Sequence, residues 1–95
     1  MDELAARMAA LRERFIDQAL EIASLVEAGV VAQDWSALAA PCHSLAGRAG
    51  MFGHGPLGEA ARAVEEATDG NAPASEIEPL ALGLLDQLRG LRQLR

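Results

Sequence analysis

The run Leu38-Ala39-Ala40-Pro41-Cys42-His43-Ser44-Leu45-Ala46-Gly47-Arg48-Ala49-Gly50-Met51-Phe52 carries two patterns at once. On a helical wheel, Leu38, Cys42, Leu45, Ala49 and Phe52 fall within about 40° of one direction. A single apolar stripe of that kind marks a helix that buries one face. His43 falls roughly 140° away from the stripe, so its ring should face solvent. The residues around it on that face are Ser36, Ala39, Ala40, Ala46, Gly47 and Gly50, all small. An ordinary solvent face carries Glu, Lys, Arg and Gln. Gly47 and Gly50 each cost about 1 kcal/mol of helix propensity relative to Ala. Two of them on one face suggest that a partner must come close to the backbone there. This helix opens near Asp34, a good N-cap, and reaches about Gly53. Pro41 predicts either a kink between Ala37 and Pro41 or a helix start later than Asp34.

Three further helices surround this one. Upstream, Leu4, Met8, Leu11, Phe15, Ala19, Ile22 and Val26 form a stripe in steps of three and four, predicting a helix from about Asp2 to Gly29. Asp2 and Glu3 suit its positive end, and Gly29 is its expected stop. Downstream, after the loop Gly53-His54-Gly55, Pro56 opens a third helix with the stripe Leu57, Ala60, Ala61, Val64 and Ala67. Asp69-Gly70-Asn71 ends it. Ser75-Glu76-Ile77-Glu78 matches a capping box, in which Ser75 bonds forward and Glu78 reaches back. Ile77, Leu80, Leu84, Leu88 and Leu91 then run to the C-terminus, where Arg89, Arg92 and Arg95 suit the negative helix end. Gly83 and Gly90 weaken this helix slightly. Four amphipathic helices joined by short loops most simply form an all-α, antiparallel up-down four-helix bundle.

Composition agrees. A chain of 95 residues supports one core, so residues 1–95 read as a single domain. Aromatics are 3% and Tyr is absent, while Ala and Leu abound, which favours helices over strands. The net charge is −6, and the eight basic residues are all Arg, scattered from Arg7 to Arg95. Without a basic patch, neither nucleic acid nor an anionic membrane is an expected partner. No apolar run reaches the ~18–20 residues of a membrane span. Met1-Asp2-Glu3-Leu4 lacks the basic-then-apolar layout of a signal peptide, which points to the cytoplasm. The lack of Lys beside much Ala, Arg and Gly resembles the composition of proteins from GC-rich bacterial genomes. Cys42 is the single cysteine, so no internal disulfide can form.

The residues alone leave two readings of His43 open. It is an exposed nucleophile on a docking surface, or an ordinary surface histidine beside glycines that mark a fraying helix end or a close helix contact. The segment His43-Ser44-Leu45-Ala46-Gly47-Arg48-Ala49-Gly50-Met51-Phe52-Gly53 resembles the signature of histidine phosphotransfer (HPt) domains. That family's pattern is a His, a Leu two later, commonly a Lys three later, a Gly four later and a Gly ten later. Here those positions hold His43, Leu45, Ala46, Gly47 and Gly53. The likeness continues through Leu57 and Ala60-Ala61-Arg62-Ala63-Val64-Glu65, and at the level of helix pattern from Leu4 to Leu88.

The resemblance implies a four-helix phosphocarrier in a multistep phosphorelay. His43 would exchange a phosphoryl group, on Nε2, with the aspartate of a receiver domain in a response regulator or hybrid histidine kinase. Such a chain is not an enzyme with an ATP or hydrolytic site. It has no cofactor of its own, and Mg²⁺ is expected on the partner receiver. Ala39, Ala40, Ala46, Gly47, Gly50 and Met51 would form the close docking surface. Ala46 departs from the common Lys, and Arg48 points about 140° from His43 on an ideal helix, so it is no substitute. Either the receiver's own Lys and Mg²⁺ suffice, which is the favoured outcome, or this is a degenerate copy that docks without transferring.

Other features read as structural. Cys42, His43 and His54 lack metal-ligand spacing, so no metal site is expected. Cys42 lies on the apolar stripe and reads as a small buried hydrophobe. His54 is a solvated loop residue or a helix-end contact, and Trp35 packs at one end of the bundle. Glu59, Glu65 and Glu66 read as a solvated face. No Ser-His-Asp set, phosphate-cradling loop or paired-carboxylate site is present. The competing function class is a pure interaction module, a homodimer included, that buries the small-residue face. A monomer is the expectation.

Overall fold

The computed structural model describes residues 2–94; Met1 and Arg95, and with Arg95 its expected place at a helix end, lie outside them. Four α-helices pack against one another, with no strand among the described residues. They are α1 (Glu3–Ala32), α2 (Ala39–Ala49), α3 (Gly55–Asp69) and α4 (Ala74–Gly90). A 3-10 turn, Trp35–Leu38, leads into α2, and others follow α2 (Gly50–Phe52) and α4 (Leu91–Leu94). Each helix packs on the one before and the one after it, and α4 closes the ring against α1.

The alternating direction follows from who meets whom. Phe15 of α1 stacks on Phe52 beyond the end of α2, with centroids 5.2 Å apart. At the other end of that pair, Gly29 of α1 lies against Leu38 just before α2. Gly58 near the start of α3 meets Ala49 near the end of α2, and Glu65 further along meets His43. The core is made of the inward stripes. Leu38, Leu45, Leu84, Leu88, Val26, Val64 and Cys42 are its largest fully buried side chains. Burying each Leu contributes about 1.5–3 kcal/mol, so these stripes dominate the stability.

Several boundaries differ from the sequence expectation, each for a local reason. Asp2 does cap α1, its carboxylate accepting from the Leu4 N–H at 3.0 Å. Gly29 does not stop the helix. α1 runs on to Ala32 and ends at Gln33, whose left-handed backbone (φ 54°) turns its N–H onto the Gly29 and Val30 carbonyls. Gly29 is a packing residue instead: a Cβ there would stand 2.6 Å from Leu38 Cδ2. The first part of the α1 stripe is also not core, since Leu4 is 63% and Leu11 42% exposed. Thirty residues of helix span about 45 Å, whereas the other helices have 11 to 17 residues, so α1 overhangs the bundle and sets its 51 Å long axis.

Around Pro41 the later helix start holds. The chain winds as a 3-10 turn first, and Pro41 then falls in the opening turn of α2, where a missing N–H is tolerated. The capping box at Ser75 does not form. Pro73 is the N-cap, its carbonyl accepting from Glu76 at 2.9 Å and Ile77 at 3.1 Å, so Ser75 already lies inside α4. The core face of α4 is Ile77, Ala81, Leu84, Leu85 and Leu88, with Leu80 38% exposed. Trp35 packs half-buried at the end of the bundle where α3 gives way to α4.

Candidate functional site

α2 is the shortest of the four helices, and it presents His43 from its middle. Cys42 and Leu45 on either side of His43 are buried, which anchors the helix and turns the imidazole outward. The His43 side chain is 77% exposed. It is nevertheless held: Nδ1 lies 2.6 Å from Oε2 of Glu65 on α3. The Glu65 side chain is 19% exposed, so the carboxylate is tucked between the helices while the ring stands out from them.

This pair corrects the reading of Glu65 as part of a solvated face; Glu59 and Glu66 do sit exposed. The signal was present in α3. Gly58, Ala61 and Glu65 are spaced three and four apart, so Glu65 shares the face that packs on α2. Gly58 lets α3 approach closely, since a Cβ there would lie 3.3 Å from Ala49 Cβ and 3.5 Å from the Ala46 carbonyl oxygen.

The chemical consequence concerns the tautomer. An ionised carboxylate only accepts hydrogen bonds, so the neutral ring must carry its proton on Nδ1. Nε2 then keeps its lone pair and points away from Glu65 into solvent. A carboxylate behind an imidazole orients the ring and stabilises positive charge that develops on it. An imidazole held in this way can act as an oriented nitrogen nucleophile.

The six residues expected around the ring divide into two sets. Ala39, Ala46, Gly47 and Gly50 share the His43 face by helical register; Ala39 and Ala46 are half-buried, Gly47 and Gly50 exposed. A Cβ added at Gly47 or Gly50 would meet nothing within 4 Å, so the backbone beside the ring is bare. Ala40 and Met51 lie toward α1. Ala40 borders a groove with Pro41, Ser44 and Leu25, and Met51, 72% exposed, borders another with Leu11 and Phe15. Arg48 also belongs to that side: its guanidinium donates to Gln18 Oε1 on α1 and to Ser44 Oγ at 3.2 Å.

The remaining candidates are structural. Cys42 is fully buried beneath the site, and burial, with Glu65's charge adding to it, pushes its thiol up from 9.0 to about 12. His54 is the helix-end contact: half-buried, it stacks on Phe15 with centroids 5.5 Å apart, and its N–H bonds the Ala49 carbonyl at 2.9 Å. Among the described residues, no three of His, Cys, Asp and Glu gather where a metal ion could be held. No described helix is long and apolar enough to cross a membrane.

Comparison with known proteins gives the arrangement a name. No curated protein and no solved structure matches the chain significantly. The sequence profile of the Hpt domain, by contrast, matches residues 10–94, nearly the whole chain. That family consists of phosphocarriers of the phosphorelay, not kinases, and carries no cofactor of its own. With a histidine held outward beside bare backbone on a four-helix bundle, and that profile matched over nearly its whole length, the chain belongs to the Hpt domain family.

Proposed function

We propose that this chain is an active phosphocarrier, with His43 Nε2 as the atom that accepts and donates the phosphoryl group. The observation that carries the reading is the His43–Glu65 pair on an otherwise small-residue surface. In the accepting step, the Nε2 lone pair attacks the phosphorus of an aspartyl phosphate on a receiver domain. The P–N bond forms as the P–O bond breaks, and the aspartate leaves as a carboxylate with the electron pair. Nδ1 keeps its proton, so the phosphorylated ring is cationic and Glu65 faces that charge. No proton has to leave the site, and the return step reverses each event. In-line placement of the partner supplies most of the catalysis, and it requires close approach of two backbones. Gly47 and Gly50 leave that space, and the half-buried Ala39 and Ala46 keep the surface low.

The partner is a receiver domain of a response regulator or hybrid histidine kinase, which brings the Mg²⁺ and a cytoplasmic setting. The His43 face stays free of a second copy in the acting carrier, because a dimer formed through it would block transfer, and a monomer meets that requirement most simply. Incubation with a phosphorylated receiver tests this reading. The expected result is an acid-labile, base-stable label on the chain that is absent from a His43→Gln variant. Label that persists in that variant removes His43 as the carrier. Receiver binding without label establishes a docking module that does not transfer.

A further inference from the structure

Phosphorylated His43 places a dianionic group on a protein of net charge −6, above a ring already paired with a carboxylate. α2 itself offers no cation to that group. Ala46 and Gly47, the next turn along the His43 face, carry no charge, and the Arg48 guanidinium is bonded to Gln18 and Ser44 on the α1 side. We infer that Arg62 of α3 supplies the missing charge and binds the phosphoryl oxygens on His43; this rests on the phosphocarrier reading above.

The placement comes from the packing of α3 on α2. Gly58, Arg62 and Glu65 follow one another at steps of four and three, which is a single stripe of a helix. Both ends of the stripe touch α2: Gly58 lies against Ala46, Ala49 and Gly50, and Glu65 holds the His43 ring. The helices run in opposite directions, so Arg62, between those two contacts, comes level with Ala46 and Gly47. That is one helical turn from His43, on the flank where the ring is already held. The facing side chains there are a methyl group and a hydrogen atom, which leave a long side chain free to lie across α2.

Arg62 is exposed and makes no ion pair or hydrogen bond among the described residues. Its acidic neighbours on α3 do not engage it: Glu59 and Glu66 are exposed and unbonded to it, and Glu65 is occupied by His43. A guanidinium suits the task, because its planar fork of donors matches phosphoryl oxygens. Position 46, where HPt domains commonly carry a lysine, then stands empty because the cation arrives from the adjacent helix.

Phosphoramidate provides the test without any partner, since Nε2 displaces ammonia from it directly. The full chain is phosphorylated with this donor, the donor is removed, and phosphohistidine loss is followed by phosphorus NMR. Arg62→Ala is expected to shorten the phosphohistidine lifetime about two- to fivefold, the size of effect an exposed charge contact supports. Arg62→Lys should recover most of the loss, and so should Ala46→Lys placed in the Arg62→Ala background. Circular dichroism confirms that each variant is folded. A lifetime in folded Arg62→Ala equal to that of the parent overturns the role of Arg62 and leaves the carrier reading intact. A parent chain that takes up no phosphoryl group from phosphoramidate or from receivers overturns both.

Discussion

A single contact, 2.6 Å between His43 Nδ1 and Glu65, turns an exposed histidine into an oriented one. In a free imidazole the proton prefers Nε2, so the nucleophilic lone pair sits on the wrong nitrogen for outward attack. Glu65 reverses that preference. Nitrogen NMR of the His43 ring should therefore report the Nδ1–H tautomer in the parent. Glu65→Ala should shift the ring toward Nε2–H and slow transfer about tenfold, and a parent ring already in the Nε2–H form contradicts the argument. Cys42, just beneath, makes a second residue-scale prediction. The folded state keeps its thiol protonated up to about pH 12, while the unfolded chain releases that proton above 9.0. Unfolding thus becomes easier as pH rises through that window, by about 1.4 kcal/mol per unit at most. The chain has no Lys and no Tyr to confuse this interval. Denaturant titrations from pH 8 to 11.5 should show the decline in the parent and a flat response in Cys42→Ala.

Among the elements, the glycines separate structure from function, because their surroundings differ. Gly29 and Gly58 are interface residues, one against Leu38 and the other against Ala49. Gly58→Val should destabilise the fold by about 2 kcal/mol or more through overpacking, and should part Glu65 from His43. Gly47 and Gly83 face open space inside helices. Gly83→Ala should stabilise by about 0.5–1 kcal/mol and leave transfer unchanged. Gly47→Leu should also raise the melting temperature yet sharply slow phosphoryl uptake from a receiver, because the new side chain stands where the partner must approach. Equal transfer rates for Gly47→Leu and the parent would remove close approach from the mechanism. The same elements show how far sequence patterning reaches. The inward stripes of α2 and α3 and the exposure of His43 follow from helical periodicity, which reports burial directly. Glu65 escaped because a charged residue on a packing face breaks the polar-out rule, and only its spacing from Gly58 and Ala61 betrays it. The Ser75 capping box escaped because Pro73 offers an extended cap two residues earlier, and a cap is decided by backbone path as well as by side-chain identity.

For the molecule as a whole, the core lies where four stripes meet, and α1 extends past it. Residues 2–14 are exposed apart from a half-buried Met8, and the family profile begins at residue 10. A chain starting at Ala10 should retain its melting temperature to within a few degrees, about 1 kcal/mol, because little core is lost. A large loss of stability would mean that Leu4 and Leu11 contribute packing that their exposure does not reveal. In the proposed reading the four helices are a mount: α2 and α3 hold a ring and a carboxylate in register, and the small residues on the His43 face leave the front open. The most direct trial of this account is to expose the chain to a phosphorylated receiver and map the attachment atom by mass spectrometry and nitrogen NMR. The expected product carries one phosphoryl group on Nε2 of His43. A phosphoryl group on Nδ1 or on any other residue, or a chain that stays unmodified across a panel of receivers, would contradict it.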